Sequence, residues 1–378
     1  MNNILDRYDS YLRSGDWLAD RDKPVAVTLT ELLEPSGGAG TVIFPATYAK
    51  GDRSPSPYDI DELRSDIPPE EAGERAEVNI CHLDSVGSQA NRMEPVFAQT
   101  TLVPQVFIVG PDRSKVNLLE VGHRITDGVV GFSALEAEAV QSIEALREGN
   151  AVKLAKLAPT SLLFGLWDSR RTQFRFPRIL SSYINATNVA VLRRSAQFNP
   201  AFEPSALGYE SGDQIEKNQD DKNPLSQVGL RAVPSVDQHG GVHVYGHIVR
   251  KTEINLVTLR SLTGSDESET LKLRRYILGL ALVAGRAQSN YNLRQGCLLI
   301  AKSKPTAQLV YPDKRETFAW EFPEALEYAT LAAEEFGVGA GGEYAFERTK
   351  LDAFLKQAEA ANTAAKEKKA ARRKERSA

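Results

Sequence analysis

Apolar positions along the chain fall into short runs with two periods, and these runs set the expected elements. Ile4, Leu5, Tyr8, Tyr11 and Leu12 space as an amphipathic helix, Lys23–Leu33 alternates weakly, and Thr41–Tyr48 reads as a strand. Val78–Leu83 is a short strand running into a helix that Asp84 or Ser85 caps and Pro95 stops near Glu94. Gln105–Val109 and Val116–Val121 flank a turn at Gly110-Pro111-Asp112-Arg113, and Ala134–Leu157 is helical with a break at Gly149-Asn150. Leu162, Leu163, Phe164, Leu166 and Trp167 read as a buried strand, and Val189–Arg194 as another. Gly241–Leu259 alternates as one long or two short strands, and Glu269–Arg286 is the clearest helix, with Lys272, Arg274 and Arg275 as a basic shoulder. Leu293–Ala301 is a strand with Gln308–Tyr311 as its partner, and Pro323–Phe336 is a helix ending in a glycine run.

The periodicity lapses over Ala49–Glu77 and Asn199–Pro234, which are polar, acidic and rich in Pro, and are expected as long inserted loops outside the core. Residues 346–378 are rich in Ala, Lys, Glu and Arg and form a basic tail, helical or disordered. Residues 1–345 then make a single domain. Its strands and helices alternate without βα regularity, which suits an α+β core of the ferredoxin-like or RNA-recognition-motif kind with large insertions.

Charge narrows the function. With a net charge of −4, the chain as a whole does not attract nucleic acid, so any such site is a local basic face. The stretch Ser161–Asn188 supplies one: Arg170, Arg171, Arg175 and Arg178 stand beside Phe174 and Phe176. If Thr172–Phe176 is extended, the two rings share a face opposite Gln173 and Arg175. Guanidinium groups beside rings are what single-stranded nucleic acid requires; a solvated arginine turn reads the same way. On the helix after Asp84, the residues Ser85, Ser88, Gln89 and Arg92 form one polar face. They offer donors for phosphate and sugar, and equally make an ordinary wet face.

Two cysteines, Cys81 and Cys297, exclude a disulfide framework or a cysteine-rich zinc site and fit a reducing cytosol. The charged N-terminus is not a signal peptide, and the run Tyr276–Gly285 is too short to span a bilayer, so a cytoplasmic protein without membrane contact is expected. His239, His243 and His247 recur every four residues among valines and glycines. On a strand, His243 and His247 stand roughly 13 Å apart at ~3.3 Å per residue, too far to share a metal ion. The glycine run at Gly337, Gly339, Gly341 and Gly342 follows a helix, so it is a cap and linker, not a phosphate loop. No catalytic constellation, metal site or cofactor is expected.

Four motifs in order, LDSVGSQANRMEP (Leu83–Pro95), GHRITD (Gly122–Asp127), TSLLFGLWDSRRTQFRFPRILSSYINATNV (Thr160–Val189) and NYNLRQGCLLI (Asn290–Ile300), resemble the backbone subunit of type I-G (formerly I-U) CRISPR Cascade complexes. That family belongs to the RAMP superfamily. The resemblance implies an RNA-recognition-motif-like palm without a catalytic role. Copies of it would line up along one CRISPR RNA and present it for pairing with target DNA. The implied partners are further copies of the chain, a large subunit, an RNA-processing and capping subunit, and a recruited helicase–nuclease. The implied RNA-binding residues are Ser85, Ser88, Gln89, Asn91, Arg92, Arg170, Arg171, Arg175 and Arg178. His123, Arg124, Asn290 and Arg294 match motifs with no assigned role, and Phe174 and Phe176 join them as candidates. A metal-dependent ribonuclease using His239, His243 and His247 is the alternative.

Overall fold

The structure is a computed structural model that describes residues 4–15, 20–48, 56–72, 76–202, 233–288 and 290–375, together with positions 206, 208, 225 and 228–230. Most of the expected loop 199–234 therefore lies outside the described residues, as does part of 49–77. The strands that matter below are β1 (Ala26–Pro35), β2 (Asn79–Asp84), β3 (Leu166–Asp168), β4 (Phe174–Phe176), β5 (Leu180–Thr187), β6 (Val189–Phe198), β7 (Val233–Val244), β8 (Ile248–Asn255), β9 (Tyr291–Arg294), β10 (Cys297–Ala301) and β11 (Thr306–Val310). The helices are α1 (Val86–Met93), α2 (Glu136–Arg147), α3 (Pro159–Leu163), α4 (Glu267–Arg286), α5 (Phe322–Phe336) and α6 (Arg348–Glu375).

The fold is α+β. Among the described residues a nine-stranded antiparallel sheet runs β9-β10-β1-β8-β5-β2, ending on the short strand Ile60–Glu62; β11 pairs the first half of β1. The four central partners, β11 and β10 together, then β1, β8 and β5, stand in the order of a βαββαβ unit, with α4 connecting β8 to the strands beyond β1. Around this unit, β2 and α1 are spliced between the first two strands.

β1 is thus the centre of the sheet, although its alternation in sequence is weak. Its inward positions are Val27, Leu29, Glu31 and Leu33, so a carboxylate interrupts the apolar row. Glu31 is held by Arg250 of β8, which is fully buried and donates to Glu31 Oε2 (2.5 Å), Gln89 Oε1 (3.0 Å) and Tyr291 Oη (3.2 Å). This network divides the larger apolar cluster, under α4 and α5, from a smaller one containing Leu33, Ile184, Ile248 and both cysteines. Burial pushes both cysteine thiols up to about 12, so they behave as packing residues.

Several expectations give way to tertiary contacts. Thr41–Tyr48 forms only an isolated bridge, Ile43 to Val242, and not a strand. The described part of 49–77 is mostly exposed, as expected of an insertion, but Tyr58 and Ala72 anchor it by being buried. Leu162 and Leu163 belong to helix α3, since a short continuous apolar run fits a buried helix as well as a strand. β11 pairs β1 and Arg315–Thr317, not the preceding strand. Arg274 and Arg275 form no basic shoulder. Arg274 donates to carbonyls of Leu12 and Leu262, and Arg275 is gripped by Asp6, Asp9 and Glu335. Gly337 caps α5 in the left-handed conformation, φ 74°, and Gly341–Ala345 then pairs in parallel with Gln105–Val109. The tail begins as α6, whose Lys350 ties it to Glu136.

Candidate nucleic-acid interface

Helix α1 starts where sequence places it: Ser85 Oγ accepts from the Ser88 amide at 3.3 Å. The face it turns outward is a different one. Gln89 is 0% exposed; its amide donates to Asp84 Oδ2 at 2.6 Å, and its oxygen accepts from Ser182 and Arg250. Arg92 donates to Asp84 Oδ2 (3.0 Å) and to the carbonyls of Asn292 and Leu293, fastening α1 to β9. Two of the four positions of the expected polar face, Gln89 and Arg92, are therefore structural, and Gln89 is unavailable to a ligand. The positions lining the side toward the neighbouring motifs are the exposed Gly87 and Asn91 and the buried Ala90, and Gly87 and Ala90 leave room beside the helix.

The arginine stretch is a hairpin in which β3 pairs β4, Leu166 opposite Phe176, Trp167 opposite Arg175 and Asp168 opposite Phe174. Period two turns Leu166, Asp168, Phe174 and Phe176 inward and Trp167 and Arg175 outward. Phe174 and Phe176 do share a face, as expected, but it packs on the core, so neither ring is a free stacking surface. The outward ring is Trp167, 60% exposed, with the Arg175 guanidinium 4.8 Å from its centroid. Asp168 fixes the tip. Its carboxylate accepts from the amides of Arg170, Arg171 and Thr172 and from the Thr172 hydroxyl. Burial alone would raise its pKa, but these donors hold it below the ordinary value. Arg147 of α2 braces the tip from behind, over the Phe174 ring and on the Thr172 carbonyl. Gly165, φ 79°, lets the chain turn beneath Arg178, where a Cβ would sit 2.9 Å from Arg178 Cγ.

The GHRITD motif is a tight turn. Asp127 caps the short helix Gly128–Gly131 through the Val129 amide, and the Thr126 hydroxyl donates to the His123 carbonyl. This turn holds Arg124 at φ 53°, a left-handed conformation that a residue with a long side chain seldom adopts. Arg124 is buried, with its guanidinium 5.0 Å from the Phe164 centroid and Nε 2.7 Å from Glu94 Oε2. Burial raises the Glu94 pKa to about 7 against the opposing pull of Arg124. Burial also lowers that of Arg124.

These three motifs, distant in sequence, line one open cleft of about 760 Å³. α1 contributes Gly87, Ala90 and Asn91; the turn contributes His123, Arg124 and Thr126; the hairpin contributes Trp167, Arg170, Arg175 and Arg178. Arg170, Arg175 and Arg178 are exposed. Arg171 turns away, pairing with Glu136 at 3.4 Å and lying against Gly131, where a Cβ would overlap it. Ser85 is exposed and Ser88 half-buried, and neither lines the cleft. Asn290 and Arg294 lie away from it; Arg294 donates to the Pro45 carbonyl. Trp167, read from sequence as a buried residue, is exposed, although the alternation Leu166, Trp167, Asp168 carries the signal.

His239 and His243 sit in β7, beside Tyr58 and Tyr245 rings respectively, and His247 lies just before β8. Among the described residues these histidines gather no further His, Cys, Asp or Glu into a metal-ligand group. No described helix is long and apolar enough to cross a membrane.

Residues 27–191, somewhat under half of the chain, match the model of a family described as CRISPR-associated protein GSU0053. The matched stretch contains every residue that lines the cleft. This supports a CRISPR-associated subunit. No curated protein matches the chain.

Proposed function

We propose that this chain is a non-catalytic, cytoplasmic RNA-binding backbone subunit of a type I-G Cascade complex. It oligomerises along a CRISPR RNA and presents it for pairing with target DNA. The observation that carries the reading is the cleft, where three exposed arginines and an exposed tryptophan face the small-residue side of α1. Arginine forks suit phosphate oxygens, and an indole face suits any base, so the cleft favours holding a strand by its backbone over reading its sequence. The net charge of −4 fits this reading, because the cations are concentrated where the strand would lie while acidic surfaces stay free for neighbouring copies. A large subunit, a processing and capping subunit and a recruited helicase–nuclease are the partners this role requires.

The test is native purification together with the products of neighbouring genes. A bound RNA of uniform length is the expected result. A complex that assembles but carries no nucleic acid by its absorbance ratio would remove the assignment.

A further inference from the structure

In the wall of the cleft stands the buried Arg124, and behind it, outside the lining, the buried Glu94; both keep unused hydrogen-bonding capacity. Arg124 is 6% exposed, yet its Nη2 has no hydrogen-bond partner, and its Nε meets Glu94 at an angle that leaves the N–H without an aligned acceptor. Glu94 Oε1 is likewise without a partner. Buried donors are almost always satisfied, so an orphaned guanidinium N–H in the wall of a cavity calls for an acceptor that arrives from the cavity. The guanidinium is already oriented. Phe164 flanks it, and the Asp127-capped turn holds its backbone in the left-handed region. Arg178 lies close enough to disfavour its charge further, so an anion there would relieve repulsion as well as complete the hydrogen bonding.

We infer that Arg124 is the seat for a single phosphate group, the one phosphate of the bound strand that is fixed in position and stripped of water, distinct from those met by the exposed Arg170, Arg175 and Arg178. The inference rests on the RNA-binding reading above for the identity of the strand. The chemistry it needs is narrower: a tetrahedral oxyanion with an oxygen free to accept from Nη2. Glu94 sets the orientation of the guanidinium and competes with the phosphate for it.

The double variant Glu94→Gln/Arg124→Gln removes the guanidinium without stranding a buried carboxylate. It is expected to bind single-stranded RNA at least about ten-fold more weakly, because a charge-assisted hydrogen bond is lost. Its log–log salt slope should be shallower by about 0.7, the value for one phosphate on a single strand. Glu94→Gln alone frees the guanidinium and is expected to bind at least as tightly as the parent. Equal binding by the double variant and the parent overturns the seat and leaves the exposed arginines as the RNA site. If the parent binds no RNA, the functional reading falls, and the seat is judged separately. Inorganic phosphate is titrated against chloride at constant ionic strength while the side-chain nitrogen resonances of Arg124 are followed. A saturable shift keeps the seat, and an unmoved resonance overturns it.

Discussion

Glu94 shows how much a single residue's surroundings decide. Its carboxyl ionises only at about 7 in the folded chain because burial outweighs the help from Arg124. In the unfolded chain it ionises near its ordinary value, so between roughly pH 4.5 and 7 the folded state holds the extra proton. Stability from this group is therefore present at low pH, falls as pH rises through that window, and is flat above it. The loss is on the order of 3 kcal/mol. Chemical denaturation at several pH values checks this: Glu94→Gln should abolish that part of the slope, and an unchanged slope would place the titration elsewhere. Gln89 carries a second expectation. Replacing it with Leu strands Arg250 Nε, while Ser182 keeps its bond to Thr252, and should cost about 2–4 kcal/mol in unfolding free energy. The salt slope of RNA binding should stay as it was, because Gln89 does not reach the cleft.

At the scale of the element, the β3–β4 hairpin is the part whose local sequence specifies both shape and chemistry. Alternation places Trp167 and Arg175 on one side, and Asp168 ties the tip by accepting four hydrogen bonds from the following residues. Stacking of a base on an aromatic side chain contributes roughly 1–3 kcal/mol. Trp167→Ala should therefore weaken single-stranded RNA binding about ten-fold or more while leaving the thermal midpoint nearly unchanged, since the ring is mostly exposed. A fall in midpoint without loss of affinity would assign the ring to packing instead. Helix α1 behaves in the opposite way. Its cap and its end at Pro95 are local matters and legible, whereas the choice of which face meets the sheet rests on Ser182, Arg250 and Asn292, none of them near it in sequence. The polar positions Ser85, Ser88, Gln89 and Arg92 thus resemble a ligand-facing stripe, yet two of them are fasteners.

For the whole molecule, the salient quantity is the distribution of charge and not its sum. Many arginines are consumed internally: Arg250 by Glu31, Arg275 by three carboxylates, Arg274 by backbone carbonyls. Arg170, Arg175 and Arg178 remain exposed around one cavity. Replacing these three with Gln should lower the log–log salt slope for single-stranded RNA by about 2, near −0.7 for each phosphate contact removed. Filter-binding titrations across salt concentrations measure it; a slope equal to the parent's would move the RNA site off this cleft.

The chain order of residues was enough to locate the helix cap at Ser85, the shared face of Phe174 and Phe176, the long helix α4 and the α+β class, because each depends on neighbours a few positions away. It undervalued β1, misjudged Gln89 and left Arg124 without a role, because their environments are made by segments far along the chain; Trp167 it misjudged although the local alternation carries the signal. β1 looked weak since Glu31 interrupts its apolar row, and the reason for Glu31 is Arg250, 219 positions later. An arginine has the same charge wherever it occurs. Whether that charge meets a carboxylate, a carbonyl, or open space is fixed only when distant strands and helices close around it, and here that closure left three arginines, one indole and one half-satisfied guanidinium facing the same cavity.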